Sequence, residues 1–247
     1  MIKLIAAFSN PNDVSRDESR SRYRNSHGRL AASVPEVNRH LPKYVQNVVI
    51  DDLPLFKNVG PNIVGISEIW SYSVEGMSDG FAEPRYSEFR RDEMTFADLG
   101  DLILICSSPA FIYGVGQDTP HKLFRFYNKA RGVAESSFRK VWEVDYASAI
   151  AFDPRIRAVS RSYVQDRPIR NLKHSFPVVR EFDAADEFWI DDLNVLPELL
   201  AAEQALAERI GVSKVFSLET KIEVVTRANL LWDFGENPSA ALIRFTK

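Results

Sequence analysis

Of the four histidines in the sequence, His27 falls on the apolar face of a predicted helix. The helix covers residues 14–33, and its apolar positions at helical spacing are Tyr23, Leu30, Ala31 and Val34. We therefore expect His27 to face the sheet rather than the solvent. An inward histidine with a pKa near neutral can act as a general acid or base. The alternative is a buried histidine that is satisfied by one hydrogen bond.

Polar residues on the neighbouring predicted strands complete the candidate site. Tyr44 or Tyr23 would hydrogen-bond a developing oxyanion, and Glu68 or Asn47 would orient the histidine or the substrate. A glutamate among apolar strand residues is costly unless it is paired, and the alternative for Glu68 is a structural acid. The candidate catalytic residues are His27, Tyr44 and Glu68, and the candidate substrate-binding residues are Tyr23, Gln46, Asn47 and Trp70.

Arginines are frequent on the same predicted helix, namely Arg16, Arg20, Arg22, Arg24 and Arg29. A guanidinium group pairs bidentately with a carboxylate, so an anionic substrate would use one or two of them. For most of these arginines we expect a solvated face with ordinary ion pairs.

The composition excludes several classes of protein. The 247 residues include 31 Lys and Arg against 34 Asp and Glu, a net charge of −3 that argues against a dedicated nucleic-acid binder. The single cysteine, Cys106, excludes an intrachain disulfide and a cysteine-based zinc cluster. No apolar run reaches about 18 residues, and the N-terminus does not resemble a signal peptide. We therefore expect a cytoplasmic protein without a membrane span.

Common motifs for nucleotides, phosphate loops and metalloproteases are missing from the sequence. We therefore expect neither a cofactor nor a metal site.

The sequence aligns with itself at an offset of 119 residues. Lys3-Leu4 falls on Lys122-Leu123, and Tyr44-Val45-Gln46 falls on Tyr163-Val164-Gln165. Glu68 and Trp70 likewise fall on Glu187 and Trp189. Such self-similarity indicates a tandem duplication. We place the join at residues 114–120, which gives repeats at 1–118 and 119–247.

Each repeat is predicted to have the order βαββαβ, the split βαβ pattern of ferredoxin-like folds. In the first repeat, the strands are predicted at residues 2–9, 41–51, 63–72 and 100–107, with helices at 14–33 and at 74–97, the latter interrupted near Pro84. In the second, they are predicted near 122–129, 156–169, 182–190 and 217–226, with helices near 134–152 and 193–211. Such a sheet has one open face that needs a cover. The prediction is therefore an α+β fold in which the two sheets pack together as an intrachain dimeric α+β barrel.

The two repeats differ at the histidine. Tyr146 stands in the second repeat where His27 stands in the first. If His27 is catalytic, the second repeat has lost that site or supports different chemistry.

The first repeat resembles the EthD family of the dimeric α+β barrel superfamily. The segments that carry the resemblance are IKLIAAFS, SRDESRSRYRNSHGRL, KYVQN, GISEIW and RYSEFRRDEMTF. The second repeat follows the pattern less closely and departs from it at Tyr146. The resemblance implies a ferredoxin-like fold and small-molecule chemistry without cofactors, but the superfamily's reactions are diverse, so the fold does not fix the reaction.

From these observations we expect a cofactor-independent lyase or isomerase that acts on a hydrophobic cyclic or aromatic small molecule, with His27 as general acid or base. One alternative is a haem-binding or oxygen-using, monooxygenase-like enzyme, in which His27 would be an axial haem ligand. Another is a non-catalytic accessory protein that binds a small molecule. The partner expected is a small-molecule substrate, with neither nucleic acid nor membrane, and the chain is expected to form a homodimer.

Overall fold

The computed structural model describes residues 1–53, 56, 62–114, 119–169 and 180–234. The expected join between the repeats lies partly outside them. The described strands are β1 (Ile2–Ser9), β2 (Lys43–Val49), β3 (Ile63–Ser71), β4 (Asp98–Tyr113), β5 (His121–Lys129), β6 (Ser162–Pro168), β7 (Ala184–Ile190) and β8 (Phe216–Asp233). They form one closed antiparallel barrel in the order β1-β3-β2-β8-β5-β7-β6-β4.

The helices lie outside this barrel. Helix α1 runs through an α segment Arg16–Ser21, a π segment Arg22–His27 and an α segment Gly28–Ala32. Helix α2 is Pro35–Asn38, α3 is Val74–Ala82 and α4 is Tyr86–Glu93. In the second half, α5 joins Glu135–Arg139, the π segment Lys140–Tyr146 and Ala147–Phe152, and it is followed by α6 (Pro154–Val159) and α7 (Leu196–Ile210). Short 3-10 turns, Leu193–Val195 and Val212–Lys214, flank α7.

Local signals explain where the helices begin and end. The Ser15 side chain accepts a hydrogen bond from the backbone N–H of Glu18 at 3.2 Å, which caps α1. Gly211 ends α7 with φ of +76°, a left-handed conformation that glycine adopts without strain. The interruption predicted near Pro84 is present, because α3 ends at Ala82 and α4 begins at Tyr86.

One prediction of secondary structure was wrong. The segment 156–169 was predicted as a strand, but its first part belongs to α6. Asp153 accepts hydrogen bonds from the N–H groups of Arg155 and Ile156, and Pro154 occupies the first turn, where its missing N–H costs nothing. A helix therefore begins at Pro154 despite its β-branched residues.

The barrel closes through two strands that are longer than predicted. The last part of β8 leaves β5 and pairs with β2, from Thr226 opposite Val49 to Asp233 opposite Lys43. In the same way, β4 pairs first with β1 and then with β6. The halves are thus joined by hydrogen-bonded strands into one barrel rather than by face-to-face packing of two separate sheets.

Three apolar clusters result from this arrangement. One fills the barrel interior and includes Ile5, Ile66, Phe124 and Phe126. The other two lie between the outer barrel face and the helices, one in each half of the chain. Among the described residues, no helix is long and apolar enough to cross a membrane. The outer cluster of the first half contains the space in which His27 lies.

Candidate active site

A cavity lies in the first half, between the outer face of β1, β3 and β4 and the helices α1 and α4. Its volume is about 60 Å³, which leaves room for roughly four to six water-sized groups. Its polar lining residues are His27, Tyr44, Ser67, Arg90 and Glu93, and its apolar ones include Leu4, Phe8, Phe89, Phe96 and Leu104. The cavity is thus small and mostly carbon-lined, with a few polar groups that can orient a ligand.

His27 is held in this cavity by a carboxylate from α4. Its Nδ1 lies 2.8 Å from Oδ2 of Asp92, and the histidine is only 4% exposed. A carboxylate partner keeps the proton on Nδ1, a tautomer inferred from the contact, and leaves Nε2 as an acceptor. Nε2 has no hydrogen-bond partner among the described residues. The pair can therefore take a proton from a ligand in the cavity.

The π segment of α1 sets the position of His27, and Gln46 supports that segment. The Nε2 of Gln46 donates to the carbonyl of Tyr23 at 2.5 Å, a backbone group inside the π segment. A Cβ added at Gly28 would lie 3.1 Å from Oε1 of Gln46, so glycine lets this amide come close to the helix. Gln46 was predicted to bind substrate, but the structure places its side chain against the helix backbone.

Tyr23, Tyr44 and Ser67 form a chain of hydroxyl groups beside His27. The Ser67 Oγ lies 3.0 Å from the Tyr23 hydroxyl and 3.1 Å from the Tyr44 hydroxyl. Burial raises the pKa of both tyrosines well above the ordinary value, so both are neutral hydroxyls at neutral pH. Tyr23 donates its hydroxyl proton to the carbonyl of Ile66 at 3.0 Å. When Ser67 donates to Tyr44, the Tyr44 O–H is left to donate into the cavity.

Two carboxylates that the sequence analysis did not select lie in the last turn of α4. Asp92 is the carboxylate that contacts His27. Glu93 lines the cavity, and its Oε2 lies 2.5 Å from Nη1 of Arg90. Burial raises the pKa of Glu93, although the charges of His27 and Arg90 oppose the shift. Both residues stand in the segment RYSEFRRDEMTF, whose charges look like those of a solvated helix. The EthD resemblance of that segment was the available signal.

Glu68, Asn47 and Trp70 do not lie in this cavity. Side chains alternate along a strand, and these three point into the barrel while Ser67 and Tyr44 point outward toward the helices. Asn47 Nδ2 donates to Glu68 Oε1 at 2.8 Å, and Lys3 Nζ lies 5.1 Å from the centre of the Trp70 ring. Glu68 therefore cannot orient His27, and its placement agrees with the alternative interpretation as a structural acid.

Inside the barrel, Glu68 belongs to a polar layer formed by Lys3, Lys122, Glu68, Glu187 and Asp166, which are all 3% exposed or less. Lys3 Nζ lies 2.8 Å from Asp166 and also pairs with Glu187, and Lys122 pairs with both Glu68 and Glu187. A buried charge is tolerable only when it is paired in this way. The layer connects residues of the two halves across the barrel centre.

A buried ion pair occupies the corresponding strand positions in the second half, beside a depression of about 370 Å³ that Tyr146 and Glu203 line. Arg125, 1% exposed, donates from Nε to Asp186 Oδ1 at 2.8 Å and from Nη2 to the Tyr146 hydroxyl at 2.9 Å. Glu203 lies 3.0 Å from the same guanidinium. The offset of 119 residues aligns Arg125 with Ala6 and Asp186 with Ser67. Two small residues in the first half thus correspond to two large charged residues in the second.

A metal site is not evident in the part of the chain that the structure describes. No group of three or more His, Cys, Asp or Glu side chains there could hold an ion.

Comparison with solved structures finds the same fold in oxidative enzymes. A candidate monooxygenase from Fusobacterium nucleatum covers 100% of this chain and 98% of its own, with 10% identity and a TM-score of 0.57. A candidate monooxygenase from Lactobacillus acidophilus covers 99% of both chains at 10% identity and a TM-score of 0.53. A chlorite dismutase variant from Candidatus Nitrospira defluvii, in complex with cyanide, covers 91% of this chain and 90% of its own at 10% identity and a TM-score of 0.53.

These neighbours correct the functional prediction. The cofactor-independent lyase or isomerase was wrong, because the structures that match the chain almost end to end are described as monooxygenases and chlorite dismutase. The alternative of an oxygen-using or haem-binding enzyme agrees better with them. At such low identity the likeness itself shows only the α+β barrel fold.

Sequence comparison confirms the family resemblance. No curated protein sequence matches the chain. Residues 11–100 match the model of the EthD domain, a range that includes α1, β2, β3 and α4. His27, Tyr44, Ser67 and Asp92 all fall within it. The first half of this chain is therefore similar to the EthD domain and forms part of a closed α+β barrel.

Proposed function

We propose that the cavity beside His27 is the active site of an oxygen-using enzyme that oxidises a small apolar molecule with an acidic hydroxyl, such as a phenol or an enol. The observation that carries the proposal is the His27–Asp92 pair at 2.8 Å, buried in a mostly carbon-lined cavity. The monooxygenase-like neighbours support the choice of oxygen as co-substrate. Dioxygen is apolar and favours such a space over water.

Haem does not fit the residues around His27. The cavity of about 60 Å³ is far too small to hold a porphyrin. The imidazole is also enclosed by aromatic rings, with the ring centre of Phe96 at 5.1 Å and that of Phe89 at 6.1 Å. Rings this close to the imidazole leave no porphyrin-sized space around it. The proposal is therefore an oxidation that does not pass through haem.

The reaction begins with a proton transfer. The substrate hydroxyl donates to Nε2 of His27, Asp92 stabilises the imidazolium that forms, and the Tyr44 hydroxyl donates to the substrate oxygen. The resulting phenolate or enolate is electron-rich and can be oxidised by dioxygen. For a phenol, one ring C–H bond breaks and a C=O bond forms at that carbon. One oxygen atom enters the quinone and the other leaves as water, and the substrate supplies all four electrons.

The cavity also limits the substrate. The cavity of about 60 Å³ has room for roughly four to six water-sized groups. It therefore admits a short enol, or little more than the reacting edge of a single ring. A larger substrate requires Phe89 or Phe96 to move.

The test is oxygen uptake with a panel of single-ring phenols and hydroquinones. We expect His27→Ala to lower turnover by about 100- to 10,000-fold, the usual contribution of a general base, and product from ¹⁸O₂ to contain one labelled oxygen. Tyr146→Phe is the matched control in the second half and should retain full turnover. Equal turnover under argon, or an active His27→Ala variant, would contradict the proposal.

We also infer that the chain consists of two ferredoxin-like repeats, residues 1–118 and 119–247, of which the first carries the active site. The strand order supports this, because β1-β3-β2-β8 is matched by β5-β7-β6-β4 around the barrel. The paired π segments Arg22–His27 and Lys140–Tyr146 lie at corresponding places. A homodimer of such chains stays a prediction, which light scattering would test.

A further inference from the structure

A second, larger depression lies beside the first turns of α1. It is bounded by α1, the end of β2 and the part of β8 that pairs with β2, and we call it the arginine groove after Arg16, Arg20, Arg24 and Arg227. Its volume is about 650 Å³, within the range of about 300–1,000 Å³ typical of small-molecule sites. Among the described residues, it shares no lining side chain with the cavity beside His27.

Two of the four arginines are already paired. Arg16 holds Asp51 with two hydrogen bonds, Nε to Oδ2 at 3.0 Å and Nη2 to Oδ1 at 2.6 Å, and Arg20 pairs with the same carboxylate. Partial burial alone would raise the pKa of Asp51, but the hydrogen bonds from Arg16 and Arg20 lower it. Asp51 is therefore ionised at neutral pH and balances part of this charge. Of the other acids of the groove, Asp17 is exposed and accepts a hydrogen bond from Nη1 of Arg20 at 3.3 Å, and Asp52 is exposed to solvent, which screens it.

The remaining guanidinium groups have donors to spare. The guanidinium groups of Arg24 and Arg227 form no ion pair and no hydrogen bond with any residue in the described ranges. The Nε of Arg20 is buried and also lacks a partner there. A guanidinium fork matches the geometry of a carboxylate or a phosphate. The groove thus combines ligand-sized space with unused donors for an anion.

The second half shows that this excess charge is not required by the fold. At the positions of Arg16 and Arg24 it has Glu135 and Glu143. Arg139, which corresponds to Arg20, lies 3.0 Å from Glu135 and 3.7 Å from Glu143. That face of α5 is therefore balanced by its own ion pairs.

On the β8 side of the groove, the first half again has an unpaired arginine where the second half does not. Arg227 lies opposite Val48, and its counterpart on β4 is Ser108, which lies opposite Arg167. Arg167 is paired in turn with Glu143 at 3.8 Å. The first half has thus gained unpaired positive charge on two separate elements that face one groove.

We propose that the arginine groove binds a small organic dianion, either a phosphate monoester or a dicarboxylate. Two free guanidinium groups match two oxyanionic charges on one ligand. No aromatic side chain is among the described lining residues, so the groove offers no stacking surface for a nucleobase. The apolar wall, Val48, Val49, Ile50 and Ala228, fits a short aliphatic body.

The test is calorimetric titration of the full chain with inorganic phosphate, succinate and acetate at constant ionic strength. We expect phosphate or succinate to bind and acetate to bind at least tenfold more weakly. Arg24→Glu and Arg227→Ser install the residues of the second half, and each should weaken binding at least tenfold. Arg29→Glu is the matched control, since Arg29 is exposed on the same helix but does not line the groove.

The outcomes separate the two ligand classes and can overturn the site. Binding of phosphate alone assigns a phosphate monoester, and binding of succinate alone assigns a dicarboxylate. Equal weakening by Arg29→Glu would mean general charge attraction and would overturn the proposal, as would the absence of binding by both dianions. Circular dichroism of each variant establishes that the fold is intact. None of these results depends on the chemistry at His27.

Discussion

The two halves surround their outer spaces with the same strands and helices but use those spaces differently. In the first half, Ala6 and Ser67 leave a cavity beside His27. In the second half, Arg125 and Asp186 stand at the corresponding positions as an ion pair at 2.8 Å, and the depression of about 370 Å³ beside them is lined by Tyr146 in place of the histidine. The difference is thus made mainly by two positions on neighbouring strands, whose side chains meet because β1 pairs with β3 and β5 pairs with β7.

This comparison shows what an active cavity requires of the fold. A paired arginine gives close packing against the strands, and the depression of about 370 Å³ that remains beside Tyr146 and Glu203 has no histidine among its described lining residues. An open cavity loses dispersion contacts, but it allows a histidine and a hydroxyl group to contact a substrate. The stability of the second half also depends on both members of this buried ion pair, because either one alone would be a buried charge without a partner.

The largest expected loss in the free energy of unfolding comes from breaking this buried ion pair. Arg125→Met keeps most of the side-chain volume but leaves Asp186 and Glu203 buried without their cation. Removing one partner of a buried ion pair costs about 3–5 kcal/mol. Urea unfolding monitored by circular dichroism should show a loss of this size in the free energy of unfolding.

Two further variants sharpen this result. Arg139→Met removes an arginine whose side chain is 48% exposed, and such surface changes usually stay within about 0.5 kcal/mol. The double variant Arg125→Ala/Asp186→Ser installs the first-half residues and should cost less than the sum of its single changes, because neither charge is left alone. If Arg125→Met were no worse than Arg139→Met, the ion pair would not be what holds the second half together.

A smaller effect is expected in the polar layer, where the halves differ at one position. Asp166 in the second half corresponds to Asn47 in the first, so three carboxylates face two lysines. Burial raises the pKa of Asp166 well above its usual value, although Lys3 lies 2.8 Å away. The folded protein therefore binds this proton more tightly than the unfolded chain does. The stability contributed by the bound proton is lost as the pH rises toward the folded pKa.

Asp166→Asn removes this titration and makes the two halves alike. We expect the variant to gain free energy of unfolding relative to the native protein as the pH rises, by at most about 1.4 kcal/mol per pH unit. Urea unfolding at several pH values between 5 and 8 measures the difference. Asp17→Asn, on an exposed side chain, is the control and should track the native curve. Parallel curves for Asp166→Asn and the native protein would show that Asp166 does not titrate in this range.

Much of the fold follows from local pattern, and the site follows from it only in part. Alternation along β3 places Ser67 and Glu68 on opposite faces, but it does not say which face meets the helices. His27 was predicted for the site because helix periodicity places it on the apolar face of its helix, and Tyr44 because it lies on the neighbouring predicted strand. Asp92 was missed because its contact with His27 joins α4 to α1, and such a tertiary contact leaves no periodic signal in either helix.

The buried ion pair of the second half did have a signal in the sequence. The offset of 119 residues aligns Ala6 with Arg125 and Ser67 with Asp186. Both changes introduce a charge, the charges are opposite, and both positions lie on predicted strands. Two opposite charges gained together at apolar or small positions indicate a buried pair. The same alignment that located His27 and Tyr146 could therefore have predicted the buried pair of Arg125 and Asp186.

A last expected effect concerns a feature that the halves share. Gln46 donates to the Tyr23 carbonyl at 2.5 Å, and Gln165 donates to the Trp142 carbonyl at 2.7 Å, each within a π segment. Replacing either glutamine by alanine leaves a buried carbonyl without its partner, which costs about 1–3 kcal/mol. Urea unfolding should therefore show similar losses for Gln46→Ala and Gln165→Ala.

Turnover should distinguish these two variants even though stability does not. Gln46→Ala loosens the segment that ends at His27, so oxygen uptake should fall, with a larger effect on kcat than on KM because the base is displaced from the reacting proton. Gln165→Ala loosens the segment that ends at Tyr146, and oxygen uptake should stay at the native level. Equal losses of turnover in both variants would mean that Gln46 acts through overall stability. A loss confined to Gln46→Ala would make Gln46 a positioning residue for His27, and would place the two halves in different roles on one scaffold.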